Sequence, residues 1–210
     1  MAKKYIILDR DGTIIHDKDY LSRPSEVELL PNAVKGLRQF QRLGYGLIMI
    51  TNQSGVARGY FTEETVKAVN DELLKQLKAE GVTFDGVYYC PHGPDDNCSC
   101  RKPNIGLAKE AAKVFNFKMD KCIVIGDKAS DVEMGKNMKA LTILVRTGKG
   151  IEEEAKCQPD MVADNLTAAA RMIGLASLLD EMSALEEKLL QQDHLNFMKE
   201  ATTNDLLRCF

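Results

Sequence analysis

The 210-residue chain has no long run of lysine or arginine, and its formal net charge is −3. Tracking a nucleic-acid backbone requires a continuous basic surface, so no nucleic-acid partner is expected, although a local basic pocket for a small anion fits this charge. Long apolar runs are missing too. The opening Met1-Ala2-Lys3-Lys4 leads straight into a short apolar segment, far below the length of a secretory core or a bilayer span. A cytoplasmic protein with no membrane partner is therefore expected. Internal repeats and low-complexity stretches are likewise absent.

Hydrophobic residues make up 44% of the chain, enough for one α/β domain with a sizeable core and an appendage. Short apolar runs rich in β-branched residues predict buried strands at Tyr5 to Leu8, Leu47 to Ile50, Val87 to Tyr89, Cys122 to Ile125 and Leu141 to Val145. Helical patterns fall at about Pro31 to Leu43, Thr62 to Glu80, Ile105 to Phe115, Ser130 to Met138 and Leu166 to Ile173, several opening with a cap or N1 signal such as Thr62 or Pro31. Alternating strands and helices predict a doubly wound parallel sheet, which binds ligands beyond the carboxyl ends of its strands. No long insertion interrupts the alternation, so no large cap domain is expected. From Ala176 the pattern changes, and Leu178, Met182, Leu185 and Leu189 recur at i, i+4, i+7 and i+11. This reads as a C-terminal helical extension over 176–210, after a catalytic domain over 1–175. It would either pack on its own domain or join two chains, leaving monomer or homodimer open.

Directly after the first strand comes Asp9-Arg10-Asp11-Gly12-Thr13. Strand alternation puts Asp9 and Asp11 on one side and Arg10 on the other. Two converging carboxylates repel, so such a pair serves to hold a divalent cation, to divide nucleophile from acid and base, or both; a surface turn is the plain alternative. Of six cysteines, three crowd around a histidine: Cys90, His92, Cys98 and Cys100. Three thiolates and an imidazole match a closed tetrahedral Zn²⁺ site, which leaves a structural metal and no open position for substrate; free thiols or one disulfide are the alternatives.

An Asp-x-Asp-Gly-Thr sequence after a first strand resembles the signature of haloacid dehalogenase-like phosphatases. Thr51 after Leu47 to Ile50, Lys102 in Cys100-Arg101-Lys102-Pro103, and Asp127 in Gly126-Asp127-Lys128-Ala129-Ser130-Asp131 match the remaining motifs in order. The resemblance implies that Asp9 attacks phosphorus to form an aspartyl phosphate and that Asp11 is general acid and base. It makes Thr51 and Lys102 stabilise the transferring phosphoryl group, and it assigns Mg²⁺ to Asp9, Asp127 and the Asp11 carbonyl. Asp131 could be a helix cap or support the site from behind.

Within that superfamily the cysteine loop resembles two branches, the heptose 1,7-bisphosphate 7-phosphatases of activated-heptose synthesis and the histidinol-phosphate phosphatases. The stretches Thr51 to Thr62 and Val145 to Lys149 look more like the heptose branch. That resemblance implies a small phosphorylated sugar as substrate, touched by Asp17, Tyr20, Asn52, Gln53, Ser54, Arg101 and Lys128, with Arg58 adding to the basic lining. The loop between His92 and Cys98 has a length closer to the histidinol relatives. A non-catalytic zinc-binding scaffold on the same fold is the alternative from another class, opposed by the intact acids Asp9, Asp11 and Asp127.

Overall fold

The computed structural model describes residues 3–207, excluding the side chains of 180 and 192–207. The chain forms two compact units, Met1–Arg171 and Met172–Phe210.

The first unit is built on six strands, β1 (Tyr5–Leu8), β2 (Gly46–Asn52), β3 (Gly86–Cys90), β4 (Ile123–Gly126), β5 (Leu141–Val145) and β6 (Met161–Ala163). They form one sheet in the order β3-β2-β1-β4-β5-β6, every pair parallel. Parallel strands need crossovers, and the intervening helices α1 (Ala33–Arg42), α2 (Glu63–Ala79), α3 (Gly106–Phe115), α4 (Ala129–Asn137) and α5 (Gly150–Glu153) supply most of them. Ile6, Ile7 and Leu8 of β1 and Leu47 to Ile50 of β2 are fully buried. Each such side chain contributes roughly 1.5–3 kcal/mol relative to exposure, which accounts for near-continuous apolar runs in the central strands.

Local chemistry sets the helix ends. Thr62 Oγ1 accepts the Thr65 amide at the start of α2, where Glu63 and Glu64 also complement the dipole. Pro31 lies outside α1, which starts after Asn32 in a left-handed conformation. Gly36 of α1 packs so closely on the Leu166 backbone that a Cβ would collide with it, and Thr167 Oγ1 donates to the Asn32 carbonyl at 2.9 Å.

Cys122 lies just before β4 rather than in it, and two elements carried no recognisable pattern. β6 has three residues and only one is buried, too short for a period to show; α5 is a single turn. The helix expected to stop at Ile173 instead continues as α6, Leu166–Leu207. In the second unit the expected seam is exposed at Leu178, Met182, Leu185 and Leu189.

Strand order reverses its direction of growth between β1 and β4. The crevice outside the carboxyl ends of those two strands is where such sheets hold ligands, and it is there that Asp9 and Asp127 leave the sheet.

Candidate active site

The backbone stops being extended immediately after β1. The Asp9 amide donates to the Ile125 carbonyl at 3.1 Å, and the Arg10 carbonyl then accepts the Ile14 and Ile15 amides. Gly12, at φ +80°, makes the turn, and a Cβ there would strike the Asp127 carboxylate. This overturns the expected sidedness of Arg10. Once the strand ends its alternation no longer applies, and the buried Arg10 guanidinium lies 3.0 Å from Asp11 Oδ2. Arg10 Nη1 also donates to Asn70 Oδ1 at 2.8 Å, while Gln53 Nε2 donates to Asp11 Oδ2 and to Thr51 Oγ1, each at 2.9 Å. Asp11 is thus gripped from both sides.

Lys102 reaches the same centre from the segment after the cysteine loop. Its Nζ lies 2.7 Å from Asp9 Oδ1 and 2.6 Å from Asp131 Oδ1, and it donates to the Ile50 carbonyl at 2.9 Å. Asn52 fixes the Lys102 main chain, its amide accepting the Lys102 N–H at 3.0 Å and donating to the Lys102 carbonyl at 3.2 Å. Asp131 accepts the Lys128 amide at 3.1 Å, so it is both the cap of α4 and a partner of Lys102. Lys128 Nζ pairs with Asp17 at 3.2 Å.

These charges divide the acids. Against the cost of burial, Lys102 and then Lys128 hold Asp9 below the usual carboxylate range. Burial, and next the Asp9 charge, push Asp127 up to about 7. Burial likewise raises Asp131 to about 6 despite Lys102. Oxygens of Asp9, Asp127 and Asp131 lie within 4.8 Å of one another. Hard oxygen donors at this spacing, two of them reluctant to ionise together, fit a divalent cation such as Mg²⁺. Asp127 is aimed by the Lys149 amide, which donates to Oδ2 at 2.9 Å. A Cβ at Gly148 would displace that carboxylate.

The cysteine loop forms a second cluster. The donor atoms of Cys90, His92, Cys98 and Cys100 also lie within 4.8 Å of one another. Cys90 Sγ is 3.6 Å from Cys98 and 3.1 Å from Cys100, and His92 Nδ1 is 3.1 Å from Cys100 Sγ. All three cysteines are free, and sulfurs bound to one Zn²⁺ at about 2.3 Å stand at comparable separations, so the donor set fits that ion. Burial pushes the Cys90 thiol up. Hydrogen bonds from Cys100 and from the Arg101 backbone bring Cys98 to about 7 in spite of desolvation. Arg101 Nη1 donates to the His92 carbonyl at 3.1 Å, tying the loop to the site.

A cavity of about 250 Å³ opens at these strand ends. Asp11, Asp17, Tyr20, Asn52, Gln53, Ser54, Arg101 and Lys128 all line it, together with Arg10, Asp19 and Lys149. Asp9, Thr51, Lys102 and Asp127 are buried alongside. Arg58 does not line the cavity; its guanidinium lies over the Tyr20 ring at 6.0 Å, and Tyr20 meets Tyr60 edge-on at 4.8 Å. Pattern reasoning passed over Asn70 and the contacts of Arg10 and Lys149, whereas Asp19 lies in the stretch Asp17 to Tyr20 expected to touch the sugar. Asn70 did carry a signal, being a polar residue on the buried stripe Val66, Val69, Leu73 and Leu77 of α2.

Comparison with known proteins agrees with this geometry. The HAD-hydrolase-like family model matches residues 99–169. The D-glycero-β-D-manno-heptose-1,7-bisphosphate 7-phosphatase of Pasteurella multocida is 37% identical over 183 residues, 83% of this chain and all of that one. The chain belongs to that phosphatase family. The heptose-bisphosphate phosphatase of Haemophilus ducreyi is also 37% identical, over 79% of this chain and 96% of its own. Among solved structures, the D,D-heptose 1,7-bisphosphate phosphatase of B. bronchiseptica, complexed with magnesium and phosphate, aligns with a TM-score of 0.77 at 31% identity, over 83% of this chain and 99% of that one. As a member of the family, this chain is a phosphomonoester hydrolase, and among its described residues no helix is long and apolar enough to cross a membrane.

Proposed function

We propose that this phosphatase removes the C7 phosphate of D-glycero-β-D-manno-heptose 1,7-bisphosphate, using Asp9 as nucleophile and Asp11 as general acid and base. The observation that carries the mechanism is the contrast at the end of β1. Asp9 is held ionised by Lys102 at 2.7 Å, while Asp11 stands two residues on, held by Arg10 and Gln53 at the cavity wall. Carboxylates are poor nucleophiles toward a polyanion until its charge is screened. Asp9, Asp127 and the Asp11 carbonyl would hold Mg²⁺, which supplies that screening when bound.

An Asp9 oxygen forms a bond to phosphorus as the bond from phosphorus to the sugar oxygen breaks. Asp11 gives its proton to the departing oxygen, then takes one from the water that attacks the aspartyl phosphate, which frees phosphate and restores Asp9. Lys102 neutralises charge on the transferring group. The Thr51 hydroxyl oxygen already accepts from Gln53, which leaves its own proton for a phosphoryl oxygen. Asn52 acts by fixing the main chain of Lys102. A Zn²⁺ held by Cys90, His92, Cys98 and Cys100 would order the loop that delivers Arg101 and Lys102.

Two lines support the heptose over histidinol phosphate. The relatives named above carry the heptose activity in their names. Beyond Asp9 the cavity presents Arg101, Lys128 and Lys149, which suit a second phosphate better than the ammonium of histidinol. Asp17 and Tyr20 would meet the sugar between the two phosphates. A non-catalytic scaffold is disfavoured by the complete set of acids and lysine.

The deciding experiment compares Mg²⁺-dependent phosphate release from the heptose bisphosphate and from histidinol phosphate, with Asp9→Asn as the blank. Preference for the heptose is expected. Preference for histidinol phosphate would move the enzyme to the other branch and leave the chemistry at Asp9 intact.

A further inference from the structure

Outside the catalytic unit, the most unusual surface is the C-terminal helix. Leu175, Leu178, Met182, Leu185 and Leu189 recur at alternating spacings of three and four along α6, and each is more than half exposed, from 57% to 61%. Contiguous apolar exposure on this scale marks a contact surface. Spacings that average 3.5 residues make it a coiled-coil seam, with Leu175, Met182 and Leu189 at a and Leu178 and Leu185 at d. The P. multocida enzyme is matched along its whole length by 83% of this chain, and the last matching motif, Val145 to Lys149, precedes α6. The seam is therefore not a requirement of the phosphatase reaction.

Charge chooses the occupant. Flanking the seam at g are Glu181 and Lys188. In an antiparallel pair of these helices g faces g, whereas in a parallel pair g faces e. Aligned antiparallel so that Met182 meets Leu185 and Leu178 meets Leu189 of a second copy, Glu181 lies beside Lys188 of that copy, and two-fold symmetry repeats the pair. A slip of one heptad one way brings Glu181 against Glu181; a slip the other way brings Lys188 against Lys188. A parallel pair sets Glu181 against Glu186, like charge against like. Apolar layers and opposite charges therefore coincide in one alignment.

We infer that this protein dimerises through α6, antiparallel and in that register, with a second copy of the same chain as the occupant of the seam.

Light scattering after gel filtration of the full chain, at about 10–100 µM, a range wide enough to populate a weak dimer, should give twice the chain mass. Leu185→Asp should halve that mass while leaving phosphate release unchanged, which shows that the variant folds. Leu178→Cys and Leu189→Cys, oxidised separately and as a mixture with the wild type as reference, should form disulfide-linked dimers only in the mixture. A monomeric wild type overturns the proposal, as does a Leu185→Asp protein that stays dimeric. Linkage within either cysteine variant alone, or none in the mixture, overturns the antiparallel register.

Discussion

Two clusters of side chains suited to metal ions stand close to the cavity, one of carboxylates and one of cysteine sulfurs with an imidazole, and they are built on opposite principles. Asp9, Asp127 and Asp131 are almost wholly buried and already balanced by Lys102 and Lys128. Asp9 and Asp127, with the Asp11 carbonyl, would fill only part of the coordination shell of a hard cation, leaving places for waters and a phosphoryl oxygen. The thiolate cluster lies on a polar loop with Cys98 and Cys100 partly exposed, and its four donors complete a tetrahedron. The first would stay open to substrate; the second would be closed and would serve to order a loop. On our reading one cluster would serve chemistry and the other architecture, with Arg101 and Lys102 joining them.

That division can be broken at single residues. Lys102→Met removes the cation between Asp9 and Asp131, and kcat should fall about 10³-fold, the upper range for losing a charge-stabilising group. The variant should also lose roughly 3–5 kcal/mol of stability, because acids buried around the lysine lose their partner. Thermal unfolding with and without Mg²⁺ would check this, and added Mg²⁺ should restore part of the loss. Cys98→Ser should act the other way round. Its zinc content, by elemental analysis, should drop below one per chain and its stability by several kcal/mol, while kcat falls only about 10-fold through looser Arg101 and Lys102. An unaffected zinc content would contradict the assignment of the thiolate cluster.

Smaller effects sharpen the account of the acid site. Asn70→Ala removes the acceptor that aims Arg10 at Asp11. Steady-state kinetics should show kcat reduced about 10-fold with KM nearly unchanged, the signature of an interaction used in the transition state. Equal changes in both constants would make Asn70 merely structural. The smallest effect concerns pH. Unfolded aspartates titrate near 3.9, but burial holds Asp131 at about 6 and Asp127 at about 7 in the folded protein. Between about pH 4 and 7 the folded state therefore binds more protons, so this contribution to stability falls as pH rises through that window. Asp9 is shifted down and acts at lower pH, where its contribution is lost on acidification. Tm in Mg²⁺-free buffer should decline from about pH 5 to 8. Saturating Mg²⁺, which binds the ionised acids, should flatten the decline.

Reading the sequence succeeds where local pattern and chemistry coincide. β1, β2, β4 and β5 are apolar because both sheet faces are covered, and Asp9, Thr51 and Asp127 announce themselves by following such runs. Cys90 to Cys100 are legible because thiolate and imidazole at close spacing have few other uses. Contacts made across the fold are invisible to such reasoning. Nothing local says that Arg10 turns back to Asp11, since that depends on where β1 ends, or that Asn70, sixty residues away, will hold it. Lys149 acts on Asp127 through its backbone amide, which any residue carries. β6 is found only by its pairing with β5.

The central claim, that Asp9 carries the phosphoryl group, is tested most directly by acid-quenching the enzyme milliseconds into turnover of the heptose bisphosphate and mapping covalent phosphate by mass spectrometry. Phosphate on Asp9, absent without Mg²⁺ and absent in Asp9→Asn, is the expected result. Rapid turnover with no covalent phosphate on Asp9, together with an Asp9→Asn protein that still releases phosphate, would contradict it.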